Sequence, residues 1–546
     1  MARASYIKEA GFNRMTKKAY SVNCRTLKRI VRENRSTEFG KAHGFASIKN
    51  PRQYRAQVPL GEYSTYKPYI DRMAAGEKEV LVSSPILYFG VTSGTTGQQK
   101  LIPTTVTSLK VASGYMAVLS QRMLYKSFKK QYSYGRGMAL TDMLPAGKTE
   151  AGIPICSATS GGMKSIRRFI PLVWTSPGEV MEMHDRENAL YLHLLFGLKE
   201  KRLMYISGVF ISSVLDMFRF LEGHWRELTE DIRRGRISPP HSIAPEIRAR
   251  LMKDIKPDAS RADELEKEFH SGMDGVARRI WPKLLCLVTV TGGSFSIYDA
   301  KVDYYTGSMP IYSPLYAATE ATVGINPYVE KRSYVLTPDT AYFEFIPLSK
   351  MNDSEPSAIE LYQLEMGVDY EVVMTTYTGL YRYRLGDVVR VDGFYNNSPM
   401  LHFLYRKNQM LNMAAEKTTE QHVSHAMEKA FSSLGLSLMD YTSLPDNSVS
   451  PGRYVFFVEV KETVKACTND AISKTVEREL CKANPAYGRI RSKGKLGSSQ
   501  TIVVPAGSFQ KYKEGTIIKK NISRSQLKIP RVLMECDAKK YFGYRA

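Results

Sequence analysis

The stretch YFGVTSGTTGQQK at residues 88–100 places four hydroxyl side chains and two glycines directly after an apolar segment, residues 86–91, that is typical of a strand. Glycine lets the backbone approach an anion closely, and hydroxyl groups donate hydrogen bonds to phosphate oxygens. Lys100 adds a positive charge, but no Ser or Thr follows it, so the stretch is not a Walker A loop. The stretch predicts a phosphate-binding loop of another kind, as in enzymes that adenylate a carboxylate. An ordinary turn after a strand is the alternative.

The composition is that of a folded protein with a large core. The chain has 546 residues, of which 43% are hydrophobic and 11% aromatic, and it exceeds the length of one ordinary domain. With 77 basic and 54 acidic residues the formal net charge is +23, which favours anionic partners such as nucleotides and carboxylate substrates. A generally basic surface is the plainer interpretation. The basic residues are spread along the chain without a run of five, which argues against nucleic acid as a partner.

The cysteines and the apolar segments indicate a compartment. The six cysteines lie far apart without a CxxC pair, so we expect neither structural disulfides nor a zinc site. The N-terminal residues lack the apolar core of a signal peptide, and no window reaches 18 apolar residues. These features predict a cytoplasmic protein with no membrane partner. The sequence does not indicate an oligomeric state.

The pattern of elements favours an α/β fold. Strand-like and long helical segments alternate over the first 400 residues, which predicts α/β layers rather than a sandwich or a bundle. The first 45 residues and the stretch 105–129 read as helical. Residues 46–80 contain Pro51, Pro59 and Pro68 and are predicted to connect other elements.

A second, smaller domain is predicted at the C-terminal end. Beyond Arg406 the polar content rises, and a helix at about 419–434 precedes a strand at 454–460. We therefore predict a large N-terminal domain at residues 1–405 and a small α+β domain at residues 406–546.

Three further segments carry candidate chemistry. In the segment 316–324, the carboxylate of Glu320 stands among small and hydroxyl residues and is suited to hold Mg²⁺ against phosphate oxygens, while Tyr316 is suited to stack on a purine. The alternative is a strand-to-helix turn with Glu320 at the helix N-terminus. Asp387 follows a glycine and is suited to accept hydrogen bonds from ribose hydroxyls; its alternative is a hairpin turn. Lys528, next to Ile529 and Pro530, is either an exposed loop residue or a cation that a mobile domain brings to an acyl phosphate.

Together these segments occur in the order and spacing of one family. The chain resembles the Gretchen Hagen family of acyl acid–amido synthetases, in the adenylate-forming, firefly-luciferase-like superfamily. The resemblance covers residues 20–535 and rests on TSGTTGQQKLIPTT (92–105), MYISGVFISSVLDMFRFLEGHWRELTEDIRRG (204–235), VTGGSFSIYDAKVDYYTGSMPIYSPLYAATEATVGIN (290–326), DTAYFEFIPL (339–348), TTYTGLYRYRLGDVVRVDGFYNNSPMLHFLYRKN (375–408) and QLKIPR (526–531).

The resemblance implies a fold and a reaction. The fold is a large N-terminal domain of a β-barrel and α/β sheets, a hinge near 406–408 and a mobile C-terminal domain. In the reaction, ATP and a small carboxylic acid form an acyl-adenylate with release of pyrophosphate. The amine of an amino acid then attacks the acyl-adenylate to give an amide and AMP.

The resemblance also assigns residues. It implies that Glu320 holds Mg²⁺, that Asp387 binds the ribose and that Lys528 contacts the phosphate during adenylation. The residues that it places at the nucleotide are Thr92, Ser93, Gly94, Thr95, Gly292, Gly293, Tyr316, Ala317, Ala318, Thr319 and Asp387.

The chain departs from the family pattern at three places. Thr92 replaces the usual serine and keeps the hydroxyl, whereas Ala318 replaces a serine and loses one. The stretch 152–162 matches the acceptor-amine region only loosely, which leaves the amino acid open. Two other functions therefore stay as alternatives: an adenylating enzyme with a thiol acceptor such as coenzyme A or a carrier protein, and a non-catalytic nucleotide- or nucleic-acid-binding protein.

Overall fold

The computed structural model describes most of the chain. The described residues are 2–92, 100–132, 134–238, 243–291, 298–351, 353, 355–407, 411, 413, 416, 418–464, 468–520, 528–533 and 535–544.

The helices of the described residues are α1 (Ala2–Thr16), α2 (Ala19–Glu33), α3 (Glu38–Ala42), α4 (Pro51–Gln57), α5 (Tyr63–Ala74), α6 (Val106–Ser113), α7 (Ser120–Phe128), α8 (Ala158–Ser165), α9 (Ile170–Val173), α10 (Gly178–Met181), α11 (Arg186–Lys199), α12 (Ile211–Arg234), α13 (Pro245–Met252), α14 (Ala259–His270), α15 (Val276–Ile280), α16 (Asp299–Thr306), α17 (Glu420–Ser433), α18 (Thr468–Ala483), α19 (Pro485–Ser492), α20 (Ser508–Lys520) and α21 (Glu535–Phe542).

The strands are β1 (Ile86–Val91), β2 (Leu101–Thr105), β3 (Met138–Leu140), β4 (Pro145–Lys148), β5 (Pro154–Ser157), β6 (Tyr205–Phe210), β7 (Cys286–Val290), β8 (Ile311–Tyr312), β9 (Leu315–Ala317), β10 (Thr322–Ile325), β11 (Tyr334–Leu336), β12 (Ala341–Pro347), β13 (Ile359–Glu360), β14 (Asp369–Thr376), β15 (Tyr383–Tyr395), β16 (Ser398–Arg406), β17 (Leu438–Asp446), β18 (Arg453–Val460) and β19 (Gln500–Val503).

Four sheets organise these strands. An eight-stranded antiparallel sheet has the order β13-β12-β14-β15-β16-β11-β10-β9, and a parallel sheet has the order β3-β6-β7-β8. A mixed sheet, β2-β1-β5-β4, carries the candidate phosphate loop, and β17-β18-β19 forms the C-terminal sheet. The prediction of a mixed α/β fold is confirmed. The part expected as a barrel is an open sheet in the described residues, since β13 and β9 are its two edges.

The N-terminal helices match the sequence pattern. Helix α2 buries Leu27, Ile30 and Val31 on the face that packs against the large sheet, as the helical spacing predicts. The amide of Asn23, on the same helix, donates a 2.9 Å hydrogen bond to the carbonyl of Phe343 in β12. This bond pins α2 to the sheet through a buried polar pair.

The prediction that residues 46–80 only connect other elements is wrong. Helix α4 begins at Pro51, where the missing N–H costs no helical hydrogen bond, and the side chain of Asn50 caps it. Pro68 lies inside α5, which persists because it buries Tyr66, Ile70 and Met73. Tertiary packing therefore outweighs the helix-breaking tendency of these prolines.

One apolar cluster assembles the strands that carry the candidate site. Phe89 of β1, Ile102 of β2, Tyr316 of β9 and Tyr383 of β15 all belong to it, each at most 8% exposed. The mixed sheet and the large sheet are therefore in contact next to the polar residues of the candidate site. No helix among the described residues has the length and apolar character needed to cross a bilayer.

Candidate active site

The candidate phosphate loop leaves the mixed sheet between two paired strands. Strands β1 and β2 are antiparallel, and the N–H of Thr92 donates a 3.2 Å hydrogen bond to the carbonyl of Lys100, which closes the base of the loop. The hydroxyl oxygen of Thr92 is buried and has no hydrogen-bond partner among the described residues. Buried hydroxyls are normally paired, so this one is suited to contact a ligand. Ser93, Gly94 and Thr95 lie outside the described residues.

The predicted segment 316–320 forms the turn of a hairpin. Tyr316 and Ala317 end strand β9, and the N–H of Ala318 donates a 3.0 Å hydrogen bond to the carbonyl of Ala321 before β10 begins. The alternative that Glu320 starts a helix is therefore wrong, because a strand follows it. Glu320 is 6% exposed in this turn.

Strand β1 lies directly against this turn. A Cβ atom on Gly90 would lie 2.7 Å from Cγ2 of Thr319, closer than real side-chain contacts allow. Opposite Thr319 only glycine fits at this position, because the space between β1 and the Cγ2 methyl of Thr319 does not hold a second methyl group. The approach brings the base of the phosphate loop next to Thr319 and Glu320.

Asp387 forms a buried polar cluster with one arginine and one tyrosine. It lies inside β15 opposite Arg406 of β16, so the alternative of a hairpin turn at Asp387 is wrong. Its Oδ1 accepts a 2.5 Å hydrogen bond from Nε of Arg406, and its Oδ2 accepts one of 2.8 Å from the hydroxyl of Tyr316. Asp387 itself is 1% exposed. An ionised carboxylate has about four lone-pair sites, so capacity remains for ligand hydroxyls.

The charges of this cluster reinforce one another. The negative charge of Asp387 raises the pKa of Arg406, and burial together with Asp387 raises the pKa of Tyr316. The tyrosine therefore stays protonated and donates, while the guanidinium stays charged.

A second chain of hydrogen bonds joins Lys100 to Glu320. Nζ of Lys100 donates to the hydroxyl of Tyr383 at 3.3 Å, and that hydroxyl donates to Oε1 of Glu320, also at 3.3 Å. Tyr383 is 1% exposed and lies four residues before Asp387 on β15. Burial lowers the pKa of Lys100, although the charges of Glu320 and Asp387 act in the opposite direction. The end of the loop thus carries a partly desolvated cation beside the predicted magnesium ligand.

Lys528 lies in the C-terminal part of the chain. Its Nζ is 3.5 Å from Oε1 of Glu420, the first residue of α17, and its side chain is 18% exposed. The alternative of an exposed loop lysine is therefore wrong. Burial lowers the pKa of Lys528, and the positive charges of Arg531 and Arg406 act in the same direction, whereas the charge of Glu420 opposes them. Lys528 is therefore a largely buried cation that faces the carboxylate of Glu420.

The structure thus brings together most of the predicted residues that it describes. Thr92, Tyr316, Thr319, Glu320 and Asp387 converge where the two sheets meet, and Ala317 and Ala318 lie in the same turn. Gly292 and Gly293 lie outside the described residues.

Sequence reasoning missed two residues of this site. The sequence pattern does not distinguish Tyr383, and it indicates Arg406 only as a residue near the hinge. Both lie in the stretch 375–408, but several tyrosines and arginines stand there and the local pattern does not distinguish them.

The residues fit Mg²⁺ only together with a phosphate. The described residues contain no group of three or more His, Cys, Asp or Glu side chains arranged to hold a metal ion. Glu320 is a single carboxylate, joined through Tyr383 to Lys100 at the end of the loop, and Mg²⁺ commonly combines one or two carboxylates with substrate phosphates and water.

The stretch 152–162 lies on the other side of β1. It forms β5 and the start of α8, and β5 pairs in parallel with β1, with Cys156 opposite Gly90. A Cβ atom on Gly161 would lie 2.3 Å from the ring of Tyr88. The stretch that only loosely resembles the acceptor-amine region is therefore packed against the strand that leads into the phosphate loop.

Family models match almost the whole chain. The GH3 family N-terminal domain matches residues 8–311, the GH3 family central domain residues 334–406 and the GH3 family C-terminal domain residues 421–535.

Individual relatives agree with these matches. The chain is 32% identical to an indole-3-acetic acid-amido synthetase of Arabidopsis thaliana, GH3.6, over 95% of this chain and 89% of the relative. The solved structure of GH3.15 acyl acid amido synthetase superposes with a TM-score of 0.86 at 29% identity, over 97% of this chain and 94% of that one. A 2-hydroxyisobutyryl-CoA ligase in the postadenylation state, with a TM-score of 0.51 at 11% identity over 98% and 90% of the two chains, shares the fold.

Proposed function

The chain belongs to the GH3 family, the Gretchen Hagen family that its motifs resemble, and from this premise we propose that it is an ATP-dependent acyl acid–amido synthetase. It joins a small carboxylic acid to an amino acid or related amine and releases AMP and pyrophosphate. The observation that carries the proposal is the convergence of Thr92, Glu320 and Asp387 at the meeting point of two sheets.

The first half-reaction is adenylation. An oxygen of the acid's carboxylate attacks the α-phosphorus of ATP, a P–O bond to the β-phosphate breaks, and pyrophosphate leaves. The residues of this chain act by position and charge: Asp387 accepts hydrogen bonds from the ribose hydroxyls, while Thr92 and Lys100 bind phosphate oxygens. In the same proposal Lys528 offsets the negative charge that develops on the α-phosphate.

The second half-reaction forms the amide. The amine nitrogen attacks the acyl carbon, the bond to the phosphate oxygen breaks, AMP leaves with the electron pair, and the nitrogen releases one proton to solvent. Holding the amine beside the adenylate contributes on the order of several kcal/mol through proximity alone. The stretch 152–162, packed against β1, is the segment that we assign to this acceptor.

The remaining nucleotide contacts complete the proposal. We assign Ser93, Gly94, Thr95, Gly292 and Gly293 to the phosphates and the nucleotide from the family motif. Tyr316, Ala317, Ala318 and Thr319 flank the base and the phosphates.

We also propose that Glu320 is the residue that would hold Mg²⁺. Bound there with the ATP phosphates, Mg²⁺ supplies neutralisation of their negative charge. Tyr383 donates a hydrogen bond that orients the Glu320 carboxylate toward this task.

We also propose a domain boundary and a cellular location. We place the boundary between a large domain, residues 1–405, and a small mobile domain, residues 406–546, at Arg406. We infer a cytoplasmic location, since the five described cysteines are free thiols and suit a reducing compartment.

The decisive experiment supplies ATP and Mg²⁺ with panels of aromatic, benzoic and aliphatic acids, first alone and then with each amino acid. Indole-3-acetic acid enters the panel first because a relative's name specifies it. We expect pyrophosphate with acid alone, and AMP plus an amide when the correct amine is present. ADP and phosphate as products contradict adenylation. A thioester with coenzyme A but no amide with any amine identifies the thiol-acceptor alternative.

A further inference from the structure

A buried carboxylate, Asp440, connects the C-terminal sheet to two separate parts of the molecule. It lies in β17 and is 6% exposed. Its Oδ1 accepts a 2.6 Å hydrogen bond from Nη1 of Arg531, and its Oδ2 accepts one of 2.6 Å from the hydroxyl of Tyr298. Each oxygen of this carboxylate therefore holds a different segment of the chain.

The Arg531 side of this connection leads to Lys528. The N–H of Ser443 donates to the carbonyl of Arg531 at 3.0 Å, and the N–H of Leu533 donates to the carbonyl of Ser443 at 2.7 Å. The segment that follows Lys528 is thus held along β17 like an added strand. The guanidinium of Arg531 also lies 4.3 Å from the ring centroid of Tyr441. Only two residues separate Lys528 from Arg531, so the anchor leaves it little freedom.

The Tyr298 side leads into the N-terminal part of the chain. Tyr298 immediately precedes α16, and Lys301 of that helix donates hydrogen bonds of 2.5 and 3.0 Å to the carbonyls of Leu438 and Met439 in β17. The same helix follows the stretch that contains Gly292 and Gly293. Helix α16 therefore lies between two parts of the molecule. It follows the glycine pair in sequence, and it contacts β17, the strand that binds Arg531.

Opposite charges hold Asp440 and Arg531 together. Burial opposes the ionisation of Asp440, but the charges of Arg531 and Lys513 and the hydrogen bonds from Tyr298 and Arg531 together lower the pKa of Asp440. Burial likewise disfavours the charged Arg531, but Asp440 raises its pKa. Removing one member of a buried ion pair leaves the other charge without compensation, so the two groups hold each other in place.

We propose that Asp440 is a positioning residue for adenylation: by binding Arg531 and Tyr298 at once, it fixes Lys528 relative to the nucleotide side of the molecule. This role rests on the proposed function. Asp440 touches no substrate and acts only through Lys528.

The test compares the half-reactions in variants that cut the connection from either side. Tyr298→Phe removes one hydroxyl, and Asp440→Asn removes the charge. The matched control is Asp446→Asn, a buried carboxylate of the same strand that binds Arg453 and Tyr544 instead. Adenylation is measured as single-turnover pyrophosphate release without amine, and transfer as amide formation from synthetic acyl-adenylate.

We expect Tyr298→Phe to slow adenylation by about fivefold, with the KM for ATP and the transfer rate unchanged within twofold, because one hydrogen bond to a charged group is lost. Asp440→Asn should have a larger effect in the same direction. The control should leave both rates within twofold. Equal loss in both half-reactions, or no loss of adenylation in Tyr298→Phe, overturns the proposal.

Hydrogen exchange separates this proposal from the proposed function. In substrate-free protein, the amides of Ser443 and Leu533, which donate the backbone hydrogen bonds between β17 and the segment after Lys528, should exchange at least tenfold faster in Asp440→Asn than in the wild type or the control. Unchanged exchange overturns the positioning role even in an active enzyme. If the wild type releases no pyrophosphate with any acid, but the exchange is faster in Asp440→Asn as described, only the proposed function is contradicted.

Discussion

Asp387 and Asp440 are built alike, since each is a buried aspartate that accepts one hydrogen bond from an arginine and one from a tyrosine hydroxyl. Their arginines differ in exposure: the side chain of Arg406 is 40% exposed, and that of Arg531 is 5% exposed. An arginine that reaches solvent can move aside and let its carboxylate bind a ligand. A sealed arginine cannot do so without leaving a charge buried.

The proposed roles differ although the local chemistry is the same: we propose ligand binding for the Asp387 cluster and positioning for the Asp440 cluster. The same three residue types form an open cluster, with a solvent-exposed arginine, at the meeting point of two sheets. They form a closed cluster, with a buried arginine, next to the segment that follows Lys528. The predictions below test this division, and each uses a variant that should affect one cluster and spare the other.

The largest effect is expected at Lys528, the residue that we propose the closed cluster to position. Lys528→Ala should slow adenylation about 100- to 1,000-fold, ~3–4 kcal/mol, because a cation is lost where charge develops in the transition state. ATP binding, measured by calorimetry, should stay within threefold. The control is Lys511→Ala, an exposed lysine of α20. A loss of ATP affinity as large as the loss of rate contradicts the assignment of Lys528 to the transition state.

The next effect concerns stability. Asp440→Asn should lower the free energy of unfolding by about 3 kcal/mol, because Arg531 stays buried without a counter-charge. Asp387→Asn should lower it by only about 1 kcal/mol, because Arg406 can turn to solvent. Denaturant midpoints of the two variants and the wild type measure the difference. Equal destabilisation would remove the distinction between an open and a closed cluster.

A smaller effect is expected on nucleotide binding. Asp387→Ala should weaken ATP binding by about 30-fold, ~2 kcal/mol, since hydrogen bonds from the ribose to a charged group are lost. Calorimetric titration with ATP provides the measurement. Asp392→Ala, on the same strand but 37% exposed in its side chain, is the control. An unchanged affinity for ATP would show that the open cluster does not bind the ribose.

The smallest effect depends on pH. Burial lowers the pKa of Lys301, which binds β17 next to the closed cluster, to about 8, below its usual 10.5. Between these values the unfolded chain binds more protons than the folded one, so this residue makes the free energy of unfolding rise with pH. From pH 7 to pH 9 the rise is about 1.4 kcal/mol.

Lys301→Met should remove this rise, whereas Lys429→Met, an exposed lysine of α17, should keep it. Denaturant unfolding at pH 7, 8 and 9 checks both variants. A wild-type curve parallel to that of Lys301→Met would show that Lys301 titrates alike in the folded and unfolded chains.

Local patterns predicted the elements of the site better than its contacts. The apolar run before the hydroxyl-rich loop predicts β1 because a strand and the turn after it depend on residues that are close together in sequence. The hydrogen bond from Lys100 to Tyr383 joins residues 283 positions apart, and that from Arg531 to Asp440 joins residues 91 positions apart. No local periodicity encodes such pairs, so the family resemblance, rather than the pattern, indicated that the segments converge.

Pro68 shows that a strong local signal can also predict the wrong element. Pro68 is a helix breaker in any local interpretation, yet α5 contains it because three buried side chains hold the helix on the core. Similarly, Glu320 stands after a strand in a context that suits a helix start as well as a hairpin. Only the pairing of β9 with β10 decides between them.

The close approach of Gly90 to Thr319 restricts the two positions jointly, since the space between them holds one methyl group and not two. Among homologous chains, alanine in place of Gly90 should therefore occur together with a residue that lacks the Cγ2 methyl, such as serine, in place of Thr319. Evolution can redistribute volume across this contact but cannot add to it, which ties the sequence of the phosphate-loop strand to that of a turn more than two hundred residues away.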